Sequence, residues 1–590
     1  MRLPHLACSG RAVMRVAILG IVLVASGCGG GGGSSTPAGP PPPASYTINA
    51  GAFSPSPVTA GNQATSTIKL TPANGYDGTI SLSCGAISGG MNAPTCKFSP
   101  ATVAVSGTNA GDSTLTVSTS PGTPGGTYQI TVNAVDTAKL APANGAQSLT
   151  LTAAGVIQHV VIIFQENRTP DNLFQDSVLI GRGADIKSSG VNSLGQTITL
   201  SPIDLGTAGA NPDTYDLSHQ HNAWLSMFDG GKMDGADLIP CQPAPNTTCP
   251  ANPQFMYVKP ADVQPYFALA EQYTFGDRMF QTNQGPSFPA HQFILAGTSA
   301  PTATSPLFAA ENTALTPNGN AGCIAEQNNT VVMINAAGSE TAQPAEYPCF
   351  EHATLTDLLD TKGLTWRYYA PSAGSIWTAP DAIEHICLQQ MVNGVLTCEG
   401  PIWKANVAIP ETKILTDIAG GDLAQVTWVI PNGNRSDHAK SNDGTGPAWV
   451  ASVVNAIGSS AYWANTAIII AWDDWGGWYD HVPPMKVIND GSSWGSGYVY
   501  GFRVPLIVVS PYAKAAYISH VPHDFGSILK FVENTFALPS LGYADTAAGD
   551  DLSDCFDFTQ SPLTYTQVAA APSAAAILKA RTKFVPPDDD

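Results

Sequence analysis

Charge is scarce in this sequence. Asp, Glu, Lys and Arg make 12% of the 590 residues, about half the roughly 25% of an ordinary soluble protein. What charge there is leans one way, with 25 Lys and Arg against 45 Asp and Glu, a net charge of -20. So few cations exclude a nucleic-acid partner, which requires many phosphates to be neutralised. They also exclude attachment to anionic lipid through a basic surface. Long apolar runs are missing as well, none reaching the roughly 18 residues of a membrane-spanning helix. No CxxC motif has zinc-ribbon spacing. DGGKMDG at 229–235 lacks the GxxxxGK[ST] pattern of a phosphate loop and follows no strong strand.

What is present begins with an export signal. Arg2, Arg11 and Arg15 precede VAILGIVLVA, an apolar run too short to cross a bilayer, and small residues lead on to Cys28. ASGC resembles the lipobox of bacterial lipoproteins, with Ala25 where Leu is commonest. In that reading residues 1–27 are removed, Cys28 carries the lipid, and Gly29 in place of Asp directs the protein to the outer membrane. The alternative is ordinary signal cleavage with Cys28 as a bystander. Of the eleven cysteines, Cys8 leaves with the signal. Export to an oxidising compartment favours local disulfides between sequence neighbours: Cys84 with Cys96, Cys241 with Cys249, Cys323 with Cys349, and Cys387 with Cys398, leaving Cys555 over.

Residues 28–45, rich in Gly, Ser and Pro, form a tether. From 46 to 153 the texture changes to short alternating segments such as STIKLT, GTISLSC and STLTVST, broken by Gly, Pro and Asn. Those are strands of a β-sandwich. The stretch resembles bacterial immunoglobulin-like domains and implies a spacer, with Cys84 and Cys96 stapling two strands. After Gly155 the runs become continuously apolar: HVVIIF, VTWVI, TAIIIAW and VPLIVV. Runs of this kind are expected of parallel strands buried on both faces, and helical segments such as AWVASVVNAI alternate with some of them. The expected fold is therefore an α/β sandwich with a mostly parallel sheet over residues 155–560. Each run ends in polar residues, at Gln165-Glu166-Asn167, Asn432, Asp473-Asp474 and Ser510. Ligands bind outside the carboxyl ends of such strands, so all four ends are expected to converge. Residues 176–265 and 300–350 read as insertions shaping the mouth, and 561–590 as a weakly ordered tail.

Glu166, Asn167, Asp473 and Asp474 are four oxygen donors at the ends of two strands that could lie side by side. Such a cluster repels itself without a cation. A divalent ion there would polarise a phosphoryl oxygen, and oxygen ligation suits Ca or Mg, whereas an added imidazole admits Zn, Mn or Fe. Ser287 in GPSFPAHQF opens a helix-like run, where it could serve as an N-cap. Five histidines lie in polar segments: His219 and His221 in DLSHQHNAW, His385, His438 and His481. The cluster Trp472, Trp475, Trp478 and Tyr479 could cage a quaternary ammonium or simply pack on the sheet.

The segments HVVIIFQENRTPDNLF, GDRMFQTNQGPSFPAHQFILAGTS, TAIIIAWDDWGGWYDHVPP and YGFRVPLIVVSPYAK, in this order, resemble the bacterial phosphoesterase family. That family holds phosphatidylcholine-type phospholipases C and an acid phosphatase, and belongs to the alkaline phosphatase superfamily. The resemblance implies one divalent metal held by Glu166, Asn167, Asp473 and Asp474, the last being one methylene shorter than the family's Glu. It implies Ser287 as the nucleophile, and His219, His385 and His438 around the phosphoryl group. His221, Asp480 and His481 would support the site or touch the substrate. The activity implied is phospholipase C on choline-type phospholipids, or acid phosphatase on phosphomonoesters. No protein partner is evident, and the membrane is reached through the lipid anchor. A rival from another class is an adhesin-like surface lipoprotein whose α/β domain is inactive.

Overall fold

The computed structural model describes residues 39–580, apart from 88–91, 207–214, 245, 314–319, 336–337, 486–499 and 570–571. The expected signal peptide and lipobox, with Cys28, lie outside the described residues.

The alternating N-terminal segments form two sheets. One joins Ser45–Ala50, Gln63–Ala73, Gly111–Ser118 and Thr95–Ser99 in that order, all antiparallel. The other joins Val58–Thr59, Gln147–Ala154, Gly126–Asp136, Asp77–Cys84 and Thr102–Ser106. Along Gln63–Ala73 burial alternates strictly, as a strand with one face on a core and one in water requires. Ile48, Ile68 and Leu115 from the first sheet share one core with Ile80, Ile130 and Leu151 from the second. The unit meets the rest of the chain where the Gly125 N–H donates to the Thr535 carbonyl, 3.2 Å away.

The continuous apolar runs build the second unit. Its main sheet comprises β1 (His159–Gln165), β2 (Thr274–Phe280), β3 (Trp366–Tyr369), β4 (Val407–Ala408), β5 (Val426–Val429), β6 (Thr466–Trp472), β7 (Arg503–Val509) and β8 (Tyr517–Ser519). Across the sheet the order is β4-β3-β5-β1-β6-β7-β2-β8, with His523–Asp524 pairing on β2. From β4 to β6 every pairing is parallel.

Strand β7 corrects one expectation, because it runs antiparallel to both neighbours. Its carboxyl end is thereby carried to the far edge, where Ser510 Oγ donates to the carbonyl of Thr466, the first residue of β6. The start of the strand takes its place at the site edge, with Arg503 opposite Phe280.

Helices cover both faces. Phe164 of β1 meets Phe525 at 5.4 Å and His291 at 6.5 Å, on the helices Phe525–Phe536 and Ser287–Ala296. Trp472 of β6 meets Tyr266 at 5.0 Å, on helix Gln264–Gln272. Phe164 stands in register with Ala471, so Phe164 and Trp472 point to opposite faces of the pleat. The result is a three-layer α/β arrangement.

Each of the expected disulfides is formed. Cys84 is bonded to Cys96, linking the two sheets of the N-terminal unit. Cys241 is bonded to Cys249, closing a short loop after the strand Cys241–Pro243. Cys323 is bonded to Cys349, with their Cα atoms 4.4 Å apart, and Cys387 to Cys398. Cys249 and Cys349 are half-buried, each against apolar core residues, so these two loops are pinned to the body of the second unit. None of the paired cysteines lies among the polar strand ends, and their part is structural. Cys555 is free and buried.

The described part of the tail, to residue 580, is bonded to the second unit. Ser452 and Asn455 donate to the carbonyls of Pro572 and Val568, and a short helix follows at Ala574–Lys579. Among the described residues no helix is long and apolar enough to cross a membrane.

Candidate active site

Strands β1 and β6 are adjacent and parallel, so the residues that follow them emerge side by side. Glu166 and Asn167 follow β1, Asp473 and Asp474 follow β6, and all four are at most 1% exposed. The Asn167 N–H donates to Asp473 Oδ1 at 3.2 Å, tying the two strand ends together. Asn167 has φ of 58°, the left-handed region that asparagine tolerates better than most residues. Gly476 lies so close that a Cβ there would sit 2.4 Å from the Asn167 carbonyl oxygen, so the turn after Asp474 requires glycine.

Ser287 arrives from the opposite side, as the first residue of its helix. Pro286 is the N-cap, and the Ser287 hydroxyl does no capping. Its Oγ lies 3.1 Å from Asp474 Oδ2 and 3.4 Å from Glu166 Oε2. The helix offers an anion little free backbone: the Phe288 N–H donates to Asn312 Oδ1 at 2.9 Å and Pro289 has none.

His291 stands one turn after Ser287 and joins the same cluster. Sequence reasoning missed it, although i and i+4 on a helix share a face. Its Nε2 lies 3.2 Å from Glu166 Oε1 and 3.7 Å from Asp473 Oδ2. Burial lowers its pKa to about 4, leaving a neutral imidazole able to act as a ligand. Glu166 is held well above the usual carboxylate range, by burial first and then by Asp473 beside it. Asp474 is raised for the same two reasons.

These residues fit a divalent cation. Glu166, His291 and Asp473 present ligand atoms within 4.8 Å of one another. Among the described residues, Asp473 Oδ2 and His291 Nδ1 are buried without a hydrogen-bond partner. A mixed carboxylate and imidazole set admits Zn, Mn or Fe as well as Mg or Ca.

Two more histidines reach the cluster through Asn167. With its amide oxygen toward the imidazoles, Asn167 accepts from Nε2 of both His219 and His438 at 3.1 Å, and its nitrogen donates to Glu166 and Asp473, also at 3.1 Å. The other ring nitrogens face the carbonyls of Leu217, at 2.9 Å, and Ala439, at 2.7 Å.

The remaining expected residues go elsewhere. His385 is paired with Glu351, 2.9 Å from Nδ1, and Asp357, 3.2 Å from Nε2, and none of its contacts reaches the cluster. It becomes a stability element. Asp357 and Glu351 raise its pKa to about 8, against burial and the neighbouring His352. A raised pKa stabilises the fold fully below the ordinary value of about 6.5, and that contribution is lost as pH rises through about 8. His385→Gln should therefore cost about 1–2 kcal/mol at pH 6 and almost nothing at pH 9. Denaturant titrations at the two pH values check this, and equal losses at both would refute it.

His221 bonds the Gln284 carbonyl through Nδ1 at 3.0 Å and stacks on Trp224, supporting the turn before Ser287. Asp480 and His481, expected to support the site, bond Arg503, Asp171 and Asp185, in segments that follow the ligand-bearing strand ends. The tryptophans pack rather than form a cage: Trp472, Trp475 and Trp478 are buried, and the Arg168 guanidinium lies over the Trp478 ring at 4.8 Å.

Residues 157–539 match the Phosphoesterase family. The chain belongs to this family. Relatives of this Phosphoesterase chain include the hemolytic phospholipase C of Pseudomonas aeruginosa, 25% identical over 68% of this chain and 56% of the relative. Phospholipase C A of Mycobacterium tuberculosis is 24% identical over 69% of this chain and 78% of its own. The chain thus spans little more than half the length of the Pseudomonas enzyme. A solved alkaline phosphatase superfamily protein from Vibrio parahaemolyticus aligns with 66% of this chain and 70% of its own, at 11% identity and a TM-score of 0.28, a likeness too slight to assign anything.

Proposed function

We propose that this Phosphoesterase-family chain is an exported, metal-dependent phosphoric ester hydrolase, acting as a phospholipase C on choline-type phospholipids through a phosphoserine at Ser287. One observation carries the chemistry: the Ser287 hydroxyl sits 3.1 Å from Asp474 Oδ2, beside a buried cluster of carboxylates and an imidazole. Within that cluster Glu166, Asp473, Asp474 and His291 would hold one divalent cation, with the Asn167 amide bonded to two of those carboxylates, and the chemistry the cation would supply there is Lewis acidity toward a phosphoryl oxygen. Asp474 or Glu166 takes the hydroxyl proton as Oγ bonds to phosphorus, the bond from phosphorus to the diglyceride oxygen breaks, and the proton goes to the departing alcohol. His219 and His438, both bonded to Asn167, set two imidazoles at the edge of the cluster, beside the place the phosphoryl group would take. Water then hydrolyses the phosphoserine and frees the Ser287 hydroxyl. The fold would be of the alkaline phosphatase type, the N-terminal sandwich an immunoglobulin-like spacer over 46–153, and Cys28 the anchor to the outer membrane.

Turnover of p-nitrophenylphosphorylcholine beside p-nitrophenyl phosphate tests the reading. Diester hydrolysis that EDTA abolishes and a divalent metal restores is the expected result. Monoester hydrolysis alone would make the chain a phosphatase. No turnover with any divalent metal would leave the surface-binding rival.

A further inference from the structure

The strands Gln389–Val392 and Val395–Cys398 form a hairpin whose first strand is exposed throughout and whose second is buried at Cys398. Asn393 and Gly394, at φ of 51° and 83°, make the tight turn whose twist suits two antiparallel strands. The disulfide between Cys387 and Cys398 closes its base. Residues 386–398, ICLQQMVNGVLTC, carry no charge, on a chain of net charge -20.

Polarity is graded along the hairpin. Glu384, His385 and Glu399 lie at the base, and Gln390 pairs with Thr397 farther out. Near the tip Met391 pairs with Leu396 and Val392 with Val395. Cross-strand partners share a face and successive pairs alternate, so Met391 and Leu396 lie on one face, where Leu396 is half-buried against the core of the unit, and Val392 and Val395 on the other. Met391 is 66% exposed, Val395 58% and Val392 38%. Met391, Val392 and Val395 thus make an exposed apolar tip with no charged residue in its own stretch of chain, and the interfacial layer of a bilayer is a medium that covers such a tip. The tip rises roughly 7–10 Å above the amide collar, at about 3.3 Å per residue, comparable with the roughly 5–10 Å depth of interfacial elements. The absence of charge suits a zwitterionic surface.

The hairpin is coupled to the Ser287 side of the molecule. The Phe350 N–H donates to the Ala382 carbonyl and the Phe350 carbonyl accepts from Glu384 N–H, just before the hairpin. The Phe350 ring meets Phe288, the residue after Ser287, at 5.9 Å.

We infer that the 389–398 hairpin inserts its tip into the interface of a zwitterionic phospholipid bilayer and holds the site against it, which deepens the phospholipase reading and rests on it for the choice of lipid. The test is flotation of the full chain, carrying Cys28→Ser so that no acyl group contributes, with phosphatidylcholine vesicles. Met391→Ser with Val395→Ser should lower partitioning at least about tenfold, and Val395→Leu should raise it about threefold, from the methylenes removed or added. Neither should change turnover of soluble p-nitrophenylphosphorylcholine. The Leu variant, which works in the opposite direction, keeps the test decisive if the double variant folds poorly. Vesicle binding indifferent to these substitutions would overturn the proposal, as would a dimer that the double variant abolishes while vesicle binding persists. Hairpin-dependent binding without soluble turnover would sink the phosphoesterase reading and spare the hairpin.

Discussion

Ser287→Ala should lower diester turnover by at least roughly 10⁴-fold while leaving divalent-cation binding, measured by calorimetry, within a few fold of the parent. The expectation rests on the division of labour in the cluster. The hydroxyl is the one alcohol beside Glu166, Asp473, Asp474 and His291, and it is held by the carboxylates rather than spent on a helix cap. Removing Oγ takes away one hydrogen-bond donor, a loss of about 1 kcal/mol, so the fold should survive and the effect should fall on chemistry. Acid-quenched reactions with labelled substrate should show label on the parent and none on the variant. Turnover within tenfold of the parent would mean that water attacks directly and Ser287 only positions it. Loss of cation binding together with turnover would instead make Ser287 part of the ligand set.

The sheet was legible because continuous apolar runs such as HVVIIF and TAIIIAW have no other stable place than between two helical layers. Strand direction was not legible. VPLIVV reads the same whichever way it runs, and only the structure shows that β7 lies antiparallel to β6 and so starts at the site edge. The strand ends that carry Glu166, Asn167, Asp473 and Asp474 needed only the pairing of β1 with β6 to bring them together. His291 carried a signal, its spacing of four from Ser287, that attention to the nucleophile position obscured. His385 carried none: EHIC gives no sign that its imidazole turns toward Glu351 and Asp357. Local disulfides were readable from sequence neighbours and compartment, whereas the docking of the tail depends on Asn455 and Ser452, more than a hundred residues away.

Arg503→Met should destabilise the second unit by about 3–5 kcal/mol. Because β7 is reversed, Arg503 opens that strand at the site edge, where it is fully buried. Its Nε and one terminal nitrogen each donate to Asp480 at 2.9 Å, and the latter also reaches Asp171 at 3.4 Å. The other terminal nitrogen donates to the carbonyls of Asp185 and Asp277. Methionine matches the stem but leaves the Asp171 and Asp480 carboxylates buried around His481, with no fixed cation between them. Arg503→Lys should recover little, since an ammonium cannot reproduce the paired bonds to Asp480. Arg503→Met with Asp480→Asn should recover more than Lys does, because it removes the uncompensated charge rather than the geometry. Chemical denaturation followed through the buried tryptophans reads all three. Asp171 lies in the helix that follows Glu166 and Asn167, and Asp480 lies in the turn that follows Asp473 and Asp474. The same guanidinium therefore ties both ligand-bearing segments to the sheet edge, and weaker cation binding should accompany the lost stability. A variant as stable as the parent would show that the network is neutralised by proton uptake and that Arg503 is not what holds these two segments in place.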